Sequence, residues 1–478
     1  MQVSTRPVST CLNAVAPSRQ DVRATAALLL LAAGATFTIP VRDPLASFAY
    51  CLGAFVLGAF LLLPKRLGVI PPIGPALKLS GFHSIPRFKA VLAAAMALIA
   101  VWGFAHTALG LSVYRYASVV GSLRVAAEVA TLFSAWAALR DRGLRSRFLL
   151  GFVWLAFAIS IIAVLSYYTS PGKILWGFTS PYPDTWGVFL SRNDFAMFME
   201  LSLPVALWGT QLAPWREKSG SASLPFRNRI PMRVPIWVPA WLLAAGFASA
   251  SRAGAILLAL EAATWWFWME KPWRGESGRQ NPAGRVGKSK QLVSFALLAG
   301  LFMAVAGVTQ LRGRFSDPQP WLFRDQIAAS AVSIIWDRPW TGFGIGTFRY
   351  VYPAYATFDA GLVVEHVHNE FLEWAAEGGI IYAGLWAAAA GAILVPAWRS
   401  GFGVGIIAVF LHSSVDYPFA KFGITAWTFA LMGAIQAEGE RTPSLRALTQ
   451  YEMEGGSLAC VCLKKRAKAG EGRGRGCE

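Results

Sequence analysis

Twelve long apolar segments recur along the chain, and they constrain its fold more than any other feature. They are residues 25–40, 45–63, 90–110, 116–139, 148–167, 195–212, 234–250, 253–269, 291–309, 378–398, 402–415 and 422–437. Hydrophobic residues make up 55% of the 478 positions and charged residues only 15%. A helix of about 20 apolar residues crosses the hydrocarbon core of a bilayer with its backbone polar groups bonded internally. The sequence therefore predicts an all-α, polytopic integral membrane protein with about twelve transmembrane helices.

The positive charges of the chain are distributed unevenly between the connections. If the N-terminus is cytoplasmic, 32 of the 44 Lys and Arg residues lie in cytoplasmic segments and 11 in outer segments. Lys and Arg are enriched on the cytoplasmic side of membrane proteins, so both termini are predicted to be cytoplasmic. This location accounts for the net charge of +18, and nucleic acid is not needed as a partner.

Five regions follow from these segments. They are a cytoplasmic N-terminal tail (1–24), nine transmembrane helices (25–310), a large outer loop (311–377), three more helices (378–437), and a basic cytoplasmic tail predicted to be disordered (438–478). Within the outer loop, residues 321–336 have the apolar spacing of a helix that lies along the membrane surface. The glycines that follow Pro339 break the chain and, without a βαβ unit, are not a dinucleotide fingerprint.

Polar residues collect at the predicted outer ends of the helices. The candidates for substrate contact or catalysis are Arg192, Asn193, Arg252, Arg324, Arg349, His366, His368, Asn369, His412 and Asp416. Arginine matches phosphate oxygens with a planar, permanently charged group, and a neutral histidine accepts a proton from a hydroxyl. Charged groups at a membrane edge are costly to desolvate and are therefore functional candidates. A phosphate-bearing lipid substrate would use both residue types.

Other interpretations of these residues remain open. Arg192 and Arg349 could equally well contact lipid headgroups and water. His366 and His368, with Glu365 or Glu370, could bind zinc, but histidines two residues apart share a face only on a strand and no third ligand has suitable spacing. No metal site and no cofactor is therefore predicted.

Three interior carboxylates and one capping residue complete the expectations. Arg124 and Glu128, four residues apart in the fourth segment, are predicted to pair on one face of a helix. Glu200 and Glu261 have no obvious partner in the sequence. Asn369 is suited to cap the helix that follows it.

One motif in this chain resembles that of a known family. His368 and Asn369 are followed by nine residues, then Gly379, two residues and Tyr382. This pattern, with SRNDFAMFMELSLP, SRAG, RPWTGFGIGTF and LHSSVDYPFA in the same order, resembles the O-antigen ligase / O-antigen polymerase superfamily of bacterial inner-membrane glycosyltransferases. The resemblance covers residues 189–437, and the first five segments match only as hydrophobic helices.

The resemblance implies a fold and a reaction. It implies a helical protein similar to the C-type glycosyltransferases, with twelve spans, one large periplasmic loop and no metal requirement. The donor would be a glycan on undecaprenyl pyrophosphate, and transfer would invert the anomeric carbon at the periplasmic face of the inner membrane. His368 would be the catalytic histidine, and Arg252 and Arg324 would hold the pyrophosphate, although Arg312, Arg314, Arg338 and Arg349 lie near Arg324 in the loop.

The acceptor distinguishes the subtypes of this superfamily. Lipid A-core as acceptor would make the protein a ligase, a growing glycan would make it a polymerase, and a protein hydroxyl would make it an oligosaccharyltransferase. The motif favours the ligase. A small-solute transporter, of the kind proposed for some bicarbonate-type relatives, would instead need polar groups along a path open to both sides.

Overall fold

Helices account for most of the computed structural model, which describes residues 17–39, 44–62, 87–212, 233–270, 282–306, 309–316, 323–359, 361 and 363–438. They are α1 (Arg19–Phe37), α2 (Pro44–Leu62), α3 (Arg87–Ala108), α4 (Arg115–Ala138), α5 (Arg142–Thr169), α6 (Arg192–Gly209), α7 (Trp237–Ala248), α8 (Arg252–Glu270), α9 (Pro282–Ala306), α10 (Thr309–Phe315), α11 (Arg324–Asp337), α12 (Phe348–Val351), α13 (Glu370–Arg399), α14 (Val404–His412) and α15 (Phe422–Glu438). Within the described residues, each of the twelve predicted apolar segments overlaps a separate helix.

The helices have the composition of membrane spans. Among the described residues, five are long and apolar enough to cross a bilayer: Leu45–Leu62, Arg87–Ala108, Arg115–Ala138, Arg142–Thr169 and Glu370–Arg399. The chain is thus a mostly helical, polytopic membrane protein, as the sequence predicts. The number of twelve crossings stays a prediction, as do the membrane orientation and the periplasmic location of the large loop.

One small departure from an all-helical fold precedes α6. Strands β1 (Lys173–Ile174) and β2 (Phe178–Thr179) pair in an antiparallel hairpin, in which Lys173 lies opposite Thr179. Alternating apolar runs of this length are too short to stand out in a sequence dominated by helices.

Helix α6 lies in the interior of the bundle. Its first residues reach the end of the bundle where the candidate polar residues lie, here called the polar end. Ser191 caps it by accepting a hydrogen bond from the Asp194 backbone N–H at 3.1 Å. Every residue from Asp194 to Leu207 is buried. A helix that is apolar on all sides is stable only when protein surrounds it, so α6 is a rigid support for what lies at its ends.

The large loop is partly helical. The predicted surface helix 321–336 corresponds to α11, whose described part starts at Arg324, and residues 321–322 lie outside the described residues. Its apolar face packs with residues of α12 and of the turn after it in a second, smaller core, which includes Ile327, Ile334 and Phe348. The loop is therefore an ordered layer against the bundle across the residues that the structure describes.

Candidate active site

A break in α13 organises the polar end of the bundle. Gly379 has φ 73° and ψ 179°, a conformation open essentially to glycine alone. A Cβ atom at this position would lie 2.2 Å from the carbonyl oxygen of Trp340. The glycine of the motif therefore permits both the break and the close approach of the loop.

Four backbone groups at this break bond to neighbouring elements. The hydrogen bonds run from Phe343 N to the Ala376 carbonyl (3.2 Å), from Gly344 N to the Glu377 carbonyl (2.7 Å), from Trp102 Nε1 to the Gly378 carbonyl (3.0 Å) and from Ile380 N to the Pro339 carbonyl (2.8 Å). Unpaired backbone groups in a membrane cost several kcal/mol each, so the loop replaces the helical bonds that the break removes.

The Glu377 side chain strengthens the same junction. Its carboxylate accepts hydrogen bonds from Gly346 N at 2.7 Å and Phe348 N at 3.0 Å. Gly342 passes so close to this turn that a Cβ atom there would lie 2.4 Å from the Glu377 carbonyl oxygen. The glycine-rich loop thus serves to dock against the broken helix.

His368 stands directly before the first turn of α13. Its backbone is left-handed, with φ 58°, which is uncommon for a residue with a side chain. Asn369 caps the helix, as predicted, by accepting from Leu372 N at 3.1 Å, and its amide donates to the Ser414 carbonyl at 3.0 Å. Glu370 N donates to the Ser413 carbonyl at 2.9 Å. These bonds hold His368 against the turn after α14.

Asp416 is the acidic partner of His368. Its Oδ1 lies 3.5 Å from His368 Nδ1, close enough for electrostatic attraction but without a formed hydrogen bond. The Asn193 side-chain amide donates to Asp416 Oδ2, and Arg324 lies 4.0 Å from the same oxygen. Burial would raise the pKa of the Asp416 carboxyl, but the His368 imidazole, the Arg324 guanidinium and His412 hold that pKa well below its ordinary value. Asp416 is therefore ionised at neutral pH.

A second group of charged residues, the arginine group, lies beside the first residue of α6 and consists of Arg192, Arg252, Arg314 and Asp184. The Arg192 guanidinium donates to Asp184 Oδ2, and Arg314 lies 3.7 Å from the same oxygen. Arg252 Nη1 donates to the Arg314 carbonyl at 3.3 Å. Because Arg192 and Asn193 are consecutive, the arginine group and the His368–Asp416 pair meet at the start of α6.

Arg324 belongs to the group of residues around His368 and Asp416, which we call the histidine group. Its Nη1 donates to the Val415 carbonyl at 2.8 Å, so it lies beside Asp416. Of the alternative loop arginines, Arg338 bonds to the Leu111 carbonyl and Arg349 pairs with Glu365 at 3.6 Å. The side chain of Arg312 lies outside the described residues.

The two motif histidines have different carboxylate partners. His366 Nδ1 lies 2.7 Å from Glu373 Oε1, and its ring stacks on Tyr417 with centroids 4.3 Å apart. His368 meets the same Tyr417 ring edge-on at 4.9 Å. Glu365 and Glu370, the carboxylates considered for a metal site, bond elsewhere. No group of three or more His, Cys, Asp or Glu is placed to hold a metal in the described ranges.

His412 differs from its expectation as a substrate contact. Its side chain is fully buried, and its Nδ1 lies 2.8 Å from Glu200 Oε1, which is fully buried as well. Glu200, which has no obvious partner in the sequence, thus has one in the structure, and the contact joins two helices far apart in sequence. This burial makes His412 an interior residue near Asp416.

The predicted Arg124–Glu128 pair is confirmed at 3.4 Å.

Sequence reasoning missed three members of this region. Asp184 joins two arginines, Glu373 holds His366, and Tyr417 contacts both motif histidines. Glu373 and Tyr417 lie within segments that the resemblance includes, but their partners are set by tertiary packing. Only the placement of Asp184 in a polar loop near Arg192 gave a local signal.

Replacing Gly379 by alanine tests the broken helix. We expect Gly379→Ala to destabilise the protein by about 2–4 kcal/mol or to prevent folding, because of the backbone strain and the clash with Trp340. Gly384→Ala in the same helix is the control, since no atom lies within 4 Å of its added Cβ. Thermal unfolding in detergent measures both, and equal stability of the two variants would contradict the assignment.

The Glu200–His412 pair provides a second test. His412→Leu leaves a buried carboxylate unpaired and is expected to cost about 3–5 kcal/mol, whereas Glu200→Gln keeps a hydrogen bond and should cost less. The double variant Glu200→Leu/His412→Leu should recover part of the loss of His412→Leu. Additive losses in chemical unfolding would show that the two side chains do not interact.

One known protein family matches the region that contains most of this site. Residues 237–387 match the family described as O-antigen ligase, which is about a third of the chain and contains Arg252, Arg324, His368 and the break at Gly379. No curated protein matches the chain. The matched region supports the assignment of this chain to the O-antigen ligase superfamily that its motif predicts.

Proposed function

We propose that the protein is an O-antigen ligase that moves a glycan from undecaprenyl pyrophosphate to a hydroxyl of lipid A-core. Membership of the superfamily supports a glycosyltransferase of the ligase or polymerase type. The observation that carries the proposal is the meeting of the His368–Asp416 pair and the arginine group at the start of α6. This arrangement combines a proton acceptor with groups that bind phosphate.

Asp416 prepares His368 for its proposed role. Because the carboxylate faces Nδ1, it favours the tautomer with the proton on that nitrogen. The Nε2 atom is then free to accept a proton. Asp416 is a positioning residue in this account, and Asn193 holds it in place.

The reaction would proceed in one displacement. The acceptor hydroxyl attacks the anomeric carbon, and its proton passes to His368 Nε2. As the new C–O bond forms, the bond between the anomeric carbon and the pyrophosphate oxygen breaks, and its electron pair stays with the pyrophosphate. Attack opposite the leaving group inverts the anomeric configuration.

The arginines would stabilise the departing pyrophosphate. Arg192 and Arg314 flank one carboxylate, Asp184, which an incoming phosphate would displace or join, and Arg252 bonds to the Arg314 carbonyl beside them. Arg324 adds positive charge next to Asp416. A guanidinium group binds phosphate through two parallel N–H···O hydrogen bonds and keeps its charge at every accessible pH. We therefore propose transfer without a metal.

Orientation and acceptor are also part of the proposal. The basic connections favour cytoplasmic termini and a periplasmic site at the inner membrane, where lipid-linked glycans are presented. His366, stacked on Tyr417 beside His368, and the half-exposed Arg349 would contact the sugar or acceptor. A polymerase would use the same machinery with a growing glycan as its acceptor.

Substitution of His368 tests the catalytic assignment. His368→Ala should lower kcat at least about 100-fold with little change in the KM for the donor, because only proton transfer is lost. Purified protein would receive lipid-pyrophosphate-linked glycan with lipid A-core or a glycan acceptor, in EDTA. His83→Ala, a histidine of a predicted cytoplasmic connection, serves as the control.

Four outcomes would contradict parts of this proposal. Unchanged turnover in His368→Ala would remove its catalytic role, and loss of wild-type activity in EDTA would require a metal. Transfer to the glycan acceptor alone would make the protein a polymerase. Solute uptake into liposomes without any transfer would replace the enzyme by a transporter.

Substitution of Arg252 tests pyrophosphate binding. Arg252→Gln should lower kcat/KM by about 100-fold or more, and Arg252→Lys should restore only part of it, since an ammonium lacks the planar fork. Arg142→Gln, an exposed arginine at the start of α5, is the matched control. Full rescue by lysine would indicate a simple charge requirement, and no effect of Arg252→Gln would place the pyrophosphate elsewhere.

A further inference from the structure

A cavity lies at the end of α6 opposite Arg192. It has a volume of about 320 Å³ and opens between the C-terminal end of α6, the residues that lead into α7, and α9. Its polar lining consists of Thr210, Arg233, Lys290, Gln291 and Ser294. The proposed reaction does not involve this cavity.

The charge of the cavity favours an anion. Among the residues that the structure describes, its lining contains two cations, two hydroxyls and an amide, and no carboxylate. The adjoining parts of the sequence are also mainly basic. Residues 213–232 contain four Lys or Arg and one acidic residue, and residues 271–289 contain five Lys or Arg and one acidic residue. Arg233 and Lys290 are both exposed, so an anion that enters the cavity from outside meets both positive charges.

The position of the cavity along α6 matches that of a lipid headgroup. Helix α6 rises about 27 Å between Arg192 and Thr210, close to the thickness of a bilayer core of about 30 Å. If α6 crosses the membrane as predicted, the arginine group at one end and the cavity at the other lie near opposite membrane surfaces. Trp237 beside the cavity is 39% exposed, as is common for tryptophan at the interface.

An apolar track leads from the cavity along α9. Val293, Leu297, Leu301 and Val305 follow each other at intervals of four residues, and they are 57%, 69%, 58% and 73% exposed. Residues at this spacing share one face of a helix. The track starts beside Lys290 and Ser294 and runs along the outer face of α9, as an acyl chain attached to a headgroup in the cavity would do.

Two hydrogen bonds to backbone carbonyls join the end of α6 to the segment that leads into α7, on one side of the cavity. Arg233 Nε donates to the Thr210 carbonyl, and Val234 N donates to the Gly209 carbonyl at 3.2 Å. A cation at this end of α6 is also stabilised by the helix dipole. A guanidinium has five N–H donors, and the bond to Thr210 uses one of them.

We propose that this cavity binds the phosphate-bearing headgroup of an anionic phospholipid, with one acyl chain along the apolar track of α9. Basic pockets between membrane helices recognise anionic headgroups in this way. The lipid belongs to the leaflet opposite the candidate active site, which is the cytoplasmic leaflet in the proposed orientation. Its binding joins the ends of α6, α7 and α9.

The experiment compares full-length protein in nanodiscs of phosphatidylcholine with and without phosphatidylglycerol. Lipids that stay bound after transfer to detergent are measured by native mass spectrometry, and unfolding temperature is measured in parallel. The test variant is Arg233→Gln/Lys290→Gln. The control, Arg142→Gln/Arg399→Gln, removes the same charge from exposed positions on the predicted cytoplasmic side.

We expect wild type and control to retain phosphatidylglycerol and to unfold at a higher temperature in its presence. The test variant should bind it roughly 30-fold more weakly, as expected for two cations at a membrane surface. Equal retention by test and control variants would overturn the proposal. An equal rise in unfolding temperature from inorganic phosphate in pure phosphatidylcholine would also overturn it, because the ligand would then be a free anion.

Discussion

The break in α13 at Gly379 is the constraint on which the polar end of this protein depends. A membrane helix can be interrupted only where other groups satisfy the freed N–H and C=O groups. Here the glycine-rich loop and the Trp102 indole supply those partners. The interruption therefore fixes the loop against the bundle and sets off the short first part of α13. His368 stands at the start of that part, so its position follows from the break.

Helix α6 supplies the second support. Its first two residues reach different groups: Arg192 contacts Asp184 in the arginine group, while Asn193 contacts Asp416 in the histidine group. Two turns further, Glu200 binds His412 from the helix that ends just before Asp416. Residues seven apart share a face of a helix, so α6 holds the segment from His412 to Asp416 at two levels. A buried and rigid helix is suited to keep a proton acceptor and an anion site in a constant relation.

The parts of this architecture that follow a period could be predicted, and those that depend on long-range packing could not. Every apolar segment became a helix, and Asn369 caps α13 as its residue type suggests. The motif predicts His368 as the catalytic residue and the resemblance predicts Arg252 and Arg324 as pyrophosphate ligands, and these roles stay predictions. The partners of Glu200 and His366 could not be predicted because they lie on other elements. His412 looked like a surface residue because it ends a helix, yet neighbouring helices bury it completely.

The central claim is that one site at the start of α6 joins a proton acceptor to a phosphate-binding arginine group. A structure of the protein with a non-hydrolysable lipid-linked pyrophosphate glycan would test it most directly. The account predicts phosphate oxygens within hydrogen-bond distance of Arg252 and Arg192, with the anomeric carbon on the side of His368. Binding of the pyrophosphate at the opposite end of α6, or out of reach of His368, would contradict it.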